Sequence, residues 1–586
     1  MNSNRSQIIF VFVIAIAIIV VAFGLILRST SNSTAILNPV TVPAGGVTAL
    51  PPGSIEVKIE SSNTKEDWLN AMVQDFNASG VKTSQGQTIV VSVVHGGSGT
   101  GLDNILAGSS RPVVYSPGTD VWINQLNQKW KDQYNQPLIK AACPALTSEP
   151  FGVAMWKPMA EALGWPDKPI KLSDIAQLAA DPQGWAAVGH PEWGTFKFGH
   201  GHPAYANSGL LTMVAAVYSA AGERSGLTPA QVKSAPVISN VRALEQSVYH
   251  YGRLSTDLFE RMTARGPNYL HAITAFEADV VKWNLKHADE LRFPLVFIVP
   301  ADATFWTNHP YCILDNADWV SDEQREAAQL FQTYLLDPAN QAKAIATGLR
   351  PADLTLALTA PVDLEHGALT TFNARNLPEL EYPSDEVVAH ILDVFYQVKK
   401  QATVLVIVDT SGSMGGEKIK GAVDGALSFL DNMEPNERVL VYSFSDEIMP
   451  LVPSGRVGDV REQLKQTVSG LYAGGGTALH EVVIRALDEM EQIKAQDEAA
   501  GENRLYGIVL LTDGKNDIGG GPSEADLLSR LPSGDQPGGI KLFTIAYGDD
   551  ANEQLLQTLA NRSNGKKFKG DPKTIRSVYL AISSEF

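Results

Sequence analysis

The first pattern along the chain is an unbroken apolar run at residues 8–27, flanked by Arg5 and Arg28. As a helix rising about 1.5 Å per residue, such a run crosses a bilayer core of about 30 Å. It exceeds the apolar part of a cleaved signal peptide, and Ile26-Leu27-Arg28 offers no small-x-small cleavage site. The expectation is one uncleaved transmembrane anchor over residues 1–28, with the short amino-terminal flank inside the cell and the rest outside. Residues 29–54 are rich in Ser, Thr, Asn, Pro and Gly and carry no Lys, Arg, Asp or Glu, which predicts a flexible linker.

Alternation of apolar strands with amphipathic helices then begins. Strands are expected at 55–59, 88–94 and 112–115, and helices at 66–76, 102–106 and 120–130. The pattern continues with strands at 153–156 and 295–299 and helices at 209–221 and 322–336. Residues 354–382 read as loop. A connecting helix follows over 384–400, with Ser384 as N-cap, Asp385 and Glu386 in the first turn, and Lys399 and Lys400 in the last. Its apolar face is read as Val388, Ile391, Leu392 and Phe395. From 402 the alternation restarts, with strands at 403–408, 439–444, 505–511 and 541–547 between helices at 418–433, 478–496, 553–560 and 573–582. The fold class is therefore α/β throughout, ending in a Rossmann-like, doubly wound domain.

A chain of 586 residues is too long for one core. The formal net charge of -18 argues against a nucleic-acid partner, because an acidic surface repels phosphate backbones. The short basic pairs Lys399-Lys400 and Lys566-Lys567 read as solvated charge.

The strand expected at 403–408 runs into Asp409-Thr410-Ser411-Gly412-Ser413, at the carboxyl end where α/β sheets place their sites. One carboxylate and two hydroxyls on a single turn are hard oxygen donors of the kind magnesium takes. Gly474-Gly475-Gly476-Thr477 and Thr512-Asp513-Gly514 supply further oxygens after a glycine loop and a second apolar strand. The order Asp-x-Ser-x-Ser, Thr, Asp resembles the metal-ion-dependent adhesion site of the von Willebrand factor type A domain, over residues 401–586. The resemblance implies Mg2+, with Mn2+ and Ca2+ as other candidates, held by Asp409, Ser411, Ser413, Thr477 and Asp513. It also implies a coordination position left for an acidic residue of a protein partner. No general base is evident beside the motif, so binding is expected and not catalysis.

Residues 55–360 resemble type II periplasmic solute-binding proteins, with two lobes around a hinge, and residues 361–400 connect them to the domain beyond. The residues carrying the likeness are His95-Gly96-Gly97-Ser98-Gly99-Thr100-Gly101, Ser116-Pro117, Asn207-Ser208-Gly209, and Val299-Pro300-Ala301-Asp302 leading to Tyr311-Cys312. Ser98, Gly99 and Thr100 ahead of a helix, with Ser116 and Ser208, are the candidate solute ligands, because backbone N–H groups at a helix start suit an anion. In that architecture the segments bearing Cys143 and Cys312 run side by side, which implies a disulfide in an oxidising compartment. His190, His200 and His202 invite a zinc reading, but a His-x-His pair near glycines and aromatics is weak without a third placed ligand. Trp185, Trp193 and Tyr205 line a cleft or fill a core.

The whole reads as a membrane-anchored protein whose bulk lies outside the cell and which binds a partner through metal. An extracellular solute receptor is the first alternative. An accessory subunit of a chelatase or ATPase complex is the second, and the apolar run at 8–27 opposes it.

Overall fold

The computed structural model describes residues 50–203, 207–252, 255–302, 304–369, 379–531, 539–548, 551–583 and 585. The expected anchor at 8–27 lies outside them, and among the described residues no helix is long and apolar enough to cross a membrane. Ile55–Phe586 forms one compact unit.

In the first lobe, Ser54–Ser62 lies beside Thr88–Gly96 on one side and pairs in parallel with Val114–Ser116 on the other. Cys312–Ile313 closes the sheet antiparallel to Val114–Ser116. Helices Glu66–Ser79, Asp120–Tyr134 and Asp322–Leu335 cover it, burying Trp68, Phe76, Leu126 and Phe331. The second lobe is built on Glu149–Trp156, buried along its whole length. This strand pairs antiparallel with Ala272–Phe276, Leu295–Ile298 and Phe305–Thr307. Sequence alternation alone pointed to parallel sheets. Here the crossing strand reverses direction, because it is the link by which the chain enters the second lobe.

The C-terminal sheet runs in the order Ile448–Arg456, Arg438–Phe444, Ala402–Asp409, Leu505–Thr512, Lys541–Tyr547, Lys567–Gly570. All neighbours are parallel except the antiparallel edge strand Ile448–Arg456. That edge strand was not expected, since Pro450 and Pro453 break the pattern. An edge tolerates proline because one row of its amides needs no partner. The helix Val457–Ser469 and the short strand Lys567–Gly570 were missed as well.

The connecting helix is Asp385–Val398 and buries Val387, Ile391, Val394, Phe395 and Val398. The expected face is rotated, since Val388 and Leu392 are only half-buried. Lys399 and Lys400 lie beyond the helix end and are buried, so they are not solvated dipole partners. The core of the second lobe continues through Phe395 and Val398 into Val404, Val406, Phe429 and Tyr579 without a break. The second lobe and the C-terminal domain thus share one hydrophobic core, while the first lobe has its own.

Candidate metal site, cleft and seam

Ala402–Asp409 is buried along its length, a run of β-branched and leucine side chains sandwiched between helices. It delivers Asp409 to the sheet's carboxyl edge with no exposed surface. Asp409 Oδ1 accepts from the Ser411 amide at 2.8 Å and Oδ2 from Thr512 Oγ1 at 2.5 Å. Burial raises the Asp409 carboxyl above its ordinary range. The hydrogen bonds from Ser411 and Thr512 oppose that shift, and the Asp513 charge adds to it. Ser411 Oγ lies 3.0 Å from Ser413 Oγ, which donates to Asp513 Oδ1 at 2.7 Å. The Gly412 amide donates to Gly475 O at 3.0 Å and the Gly474 amide to Thr410 O at 2.8 Å, so the glycine loop is laced to the aspartate turn. A Cβ at Gly514 would stand 3.5 Å from Thr477 Oγ1 and 3.9 Å from Asp409 Oδ2. Those two oxygens therefore border the same small space, which glycine leaves open. All five predicted residues line one end of the sheet.

The donor set fits a hard cation. Oxygens about 2.0–2.1 Å from an octahedral magnesium stand about 2.9 Å apart along each edge. The Ser411–Ser413–Asp513 chain of oxygens, at 3.0 and 2.7 Å, has that spacing. Sequence reading missed Lys418, whose ammonium contacts Asp513 Oδ2 at 2.5 Å. It sits in the first turn of Glu417–Asn432 and supplies a positive charge on the edge of the same oxygen cluster.

The predicted solute residues divide between the lobes. Ser98, Gly99 and Thr100 do not precede a helix but form the first turn of Ser98–Leu106. Ser98 Oγ accepts from the Gly118 amide at 3.1 Å, and Gly99 is packed against Trp122, whose ring would be 3.2 Å from an added Cβ. The Thr100 side chain lies outside the described residues. Ser116 is fully buried and its Oγ has no hydrogen-bond partner among the described residues. Ser208 belongs to the second lobe, within Asn207–Ala221, and its carbonyl accepts from Thr212 Oγ1 at 2.7 Å.

Between the lobes lies a charged cluster that no spacing in the sequence announced. Lys65 is buried and donates to Ser62 Oγ and Ser116 O, both at 2.8 Å, and burial lowers its pKa to about 7. Glu149 is buried and raised to about 7 by desolvation, with His309 Nε2 at 2.9 Å. Lys282 of the second lobe reaches Thr64 O of the first at 2.5 Å. Burial, then the charges of Lys65 and Lys282, hold His309 well below its usual range. Ser116 Oγ, Thr147 Oγ1 and His309 Nδ1 are buried here without partners among the described residues.

The structure joins Cys143 and Cys312 in a disulfide. His190, His200 and His202 do not converge. His190 stacks on Trp193, His200 faces Glu245 at 3.0 Å, and His202 packs edge-on to Phe395. Among the described residues no cluster of three His, Cys, Asp or Glu suits a metal. Trp185 is a core residue bonded to His271, Trp193 packs against its edge, and Tyr205 lies outside the described residues.

At the opposite end of the C-terminal sheet the strands begin against the second lobe. Lys400 Nζ donates to Val248 O at 3.0 Å and Lys541 Nζ to Tyr249 O at 2.7 Å. Arg261 pairs with Glu585 at 3.0 Å, and Lys399 with Glu437 at 2.8 Å.

Residues 57–350 match the family model of the bacterial extracellular solute-binding protein, and residues 403–575 that of the von Willebrand factor type A domain. Inter-alpha-trypsin inhibitor heavy chain H4 of Bos taurus is 30% identical over 167 residues, 28% of this chain and 18% of that one. An uncharacterized protein of Synechocystis is 28% identical over 160 residues, 27% of this chain and 35% of its own. The chain thus spans about a third or less of the length of these curated relatives. Among solved structures, a cyclic alpha-maltosyl-1,6-maltose binding protein from Arthrobacter globiformis covers 59% of this chain and 93% of its own, at 15% identity and a TM-score of 0.39. A von Willebrand factor type A protein from Catenulispora acidiphila covers 32% and 42%, at 21% identity and a TM-score of 0.28. Matched over residues 57–350, the chain belongs to the bacterial extracellular solute-binding proteins, and it carries a von Willebrand factor type A domain at its carboxy-terminal end.

Proposed function

We propose that the protein binds a partner protein outside the cell through a divalent cation, Mg2+ in the first instance. Asp409, Ser411, Ser413, Thr477 and Asp513 hold the cation, and an acidic group of the partner completes its shell. The observation that carries this reading is the Ser411–Ser413–Asp513 chain of oxygens at the spacing of octahedral edges. The two carboxylates nearest the cation are committed to holding it, which favours binding over chemistry. Tyr472, 82% exposed on the loop leading to Thr477, gives the partner an aromatic contact beside the metal. The anchor at 8–27 would tether this assembly to the cell surface.

The test is calorimetric titration of Mg2+ and Mn2+ into the purified full-length chain, beside Asp409→Ala and Ser411→Ala. Saturable binding in the parent and its loss in both variants is expected. Binding that survives both substitutions would exclude this site.

A second reading, a solute held between the lobes, is favoured by the orphaned polar atoms of Ser116, Thr147 and His309. Buried polar groups without partners are costly, and a polar ligand or water would satisfy them. A small polar solute that raises the melting temperature of the parent, but not of a Ser116→Ala variant, would support it.

A further inference from the structure

The seam between the second lobe and the C-terminal domain opens into a cavity of about 490 Å³, far from the metal site. Small-molecule sites span about 300–1,000 Å³. Its wall carries Arg242 from the helix Ala235–Gln246 of one module, and Arg438, Arg456 and Arg504 from the strand starts and edge strand of the other. Glu502 is the acidic residue among those lining it. Arg438 uses Nη2 on Glu502 at 2.6 Å and Nη1 on Asp497 at 2.8 Å. Arg504 spends its N–H groups on neutral acceptors, Thr403 Oγ1 at 3.0 Å and Ala402 O at 2.9 Å, with Glu502 at 3.5 Å. Arg456 donates to the neutral Asn436 Oδ1 at 2.5 Å. Arg242 is exposed and has no ion pair or hydrogen bond among the described residues. Cationic charge therefore exceeds acidic charge around this cavity, on a chain whose net charge is -18. Like charges gathered against the average field of the molecule oppose folding unless something else uses them. Arg504 registers that crowding, since burial and then the Arg438 charge lower its pKa.

We propose that this cavity is a binding site for a small polyanion with two or more phosphate or carboxylate groups, held in the forks of Arg242 and Arg456 and within the field of Arg438 and Arg504. Guanidinium forks match planar or tetrahedral oxyanions in pairs of hydrogen bonds. Because one fork comes from each module, the ligand bridges the seam and is distinct from both the metal's partner and a solute between the lobes.

The experiment is calorimetric titration of pyrophosphate and, separately, citrate into the full-length chain in low-salt buffer freed of metal on a chelating resin, with no soluble chelator present. Excluding metal keeps the result independent of the Asp409 site. Expected is saturable binding of at least one anion, weakened at least tenfold in Arg242→Ala/Arg456→Ala and weakened by added NaCl. Arg242→Glu alone, which disturbs no bond of the fold, is expected to weaken it as strongly. Which of the two anions binds tells phosphate from carboxylate recognition. No saturable binding of either anion to the parent, or equal binding to Arg242→Glu, would overturn the proposal.

Discussion

At one end of the C-terminal sheet the strands Ala402–Asp409 and Leu505–Thr512 finish in hydroxyls and carboxylates that face an open space. At the other end the same strands begin among buried cations bonded to the second lobe. The backbone is common to both ends, but the tasks differ. The carboxyl end gathers hydroxyl and carboxylate oxygens around one small space, so it can take a cation. The amino end ties its buried lysines to carbonyls and a carboxylate within the protein, so it holds two modules together. The difference separates stability from cation binding along a single strand: a change at one end should leave the other's property intact.

Breaking the seam should give the largest effect. Glu437→Ala leaves Lys399 buried without its carboxylate, and loss of one partner of a buried pair costs about 3–5 kcal/mol. A much lower melting temperature is expected, with little change in metal affinity in the chain that remains folded. Next, Asp513→Ala at the open end should weaken Mg2+ binding by about 100-fold or more, since even groups that only orient ligands are worth about 10–100-fold. Its melting temperature in EDTA should stay near the parent's, and a collapse there would erase the contrast.

A third test concerns the cleft. Glu149 is raised from 4.5 to about 7 by burial. The folded chain therefore keeps a proton that the unfolded chain releases. The stability Glu149 contributes is full at acid pH and lost as pH climbs towards 7. The melting temperature of the parent should accordingly fall relative to Glu149→Gln between about pH 4.5 and 7. Equal profiles would show that the carboxyl ionises freely. The smallest effect is expected from Lys418→Met. The Lys418–Asp513 pair is partly exposed and worth about 1 kcal/mol at most, so removing this competing cation should tighten Mg2+ binding by about fivefold or less, read by calorimetry.

The convergence of oxygens at the carboxyl end was legible because its residues stand in short runs. Asp409, Ser411 and Ser413 fall on one turn, and Thr477 and Asp513 each follow a glycine loop or an apolar strand. The seam was not legible, because its partners are distant in sequence. Lys400 meets Val248, and Lys541 meets Tyr249, across 152 and 292 positions. A lysine pair after a helix looks the same whether it is solvated or buried, and only the packing of Phe395 and Val398 against the lobe decides it. Lys65 was opaque for the same reason. It stands in a polar stretch, and its burial follows from the closure of two lobes rather than from any local period. The edge strand Ile448–Arg456 escaped because its two prolines remove the usual signal.

The shared core also bears on mechanics. The chain crosses between the lobes three times, near Thr147, His309 and Arg350, while the C-terminal domain is welded to the second lobe by a common core and a buried seam. The second lobe and the C-terminal domain thus move as one body, if the lobes move at all. A rotation that opened the cleft would carry the Asp409 oxygen cluster along with the second lobe, without changing its own geometry. Such a rotation would alter where that cluster points and leave its affinity for a cation unchanged.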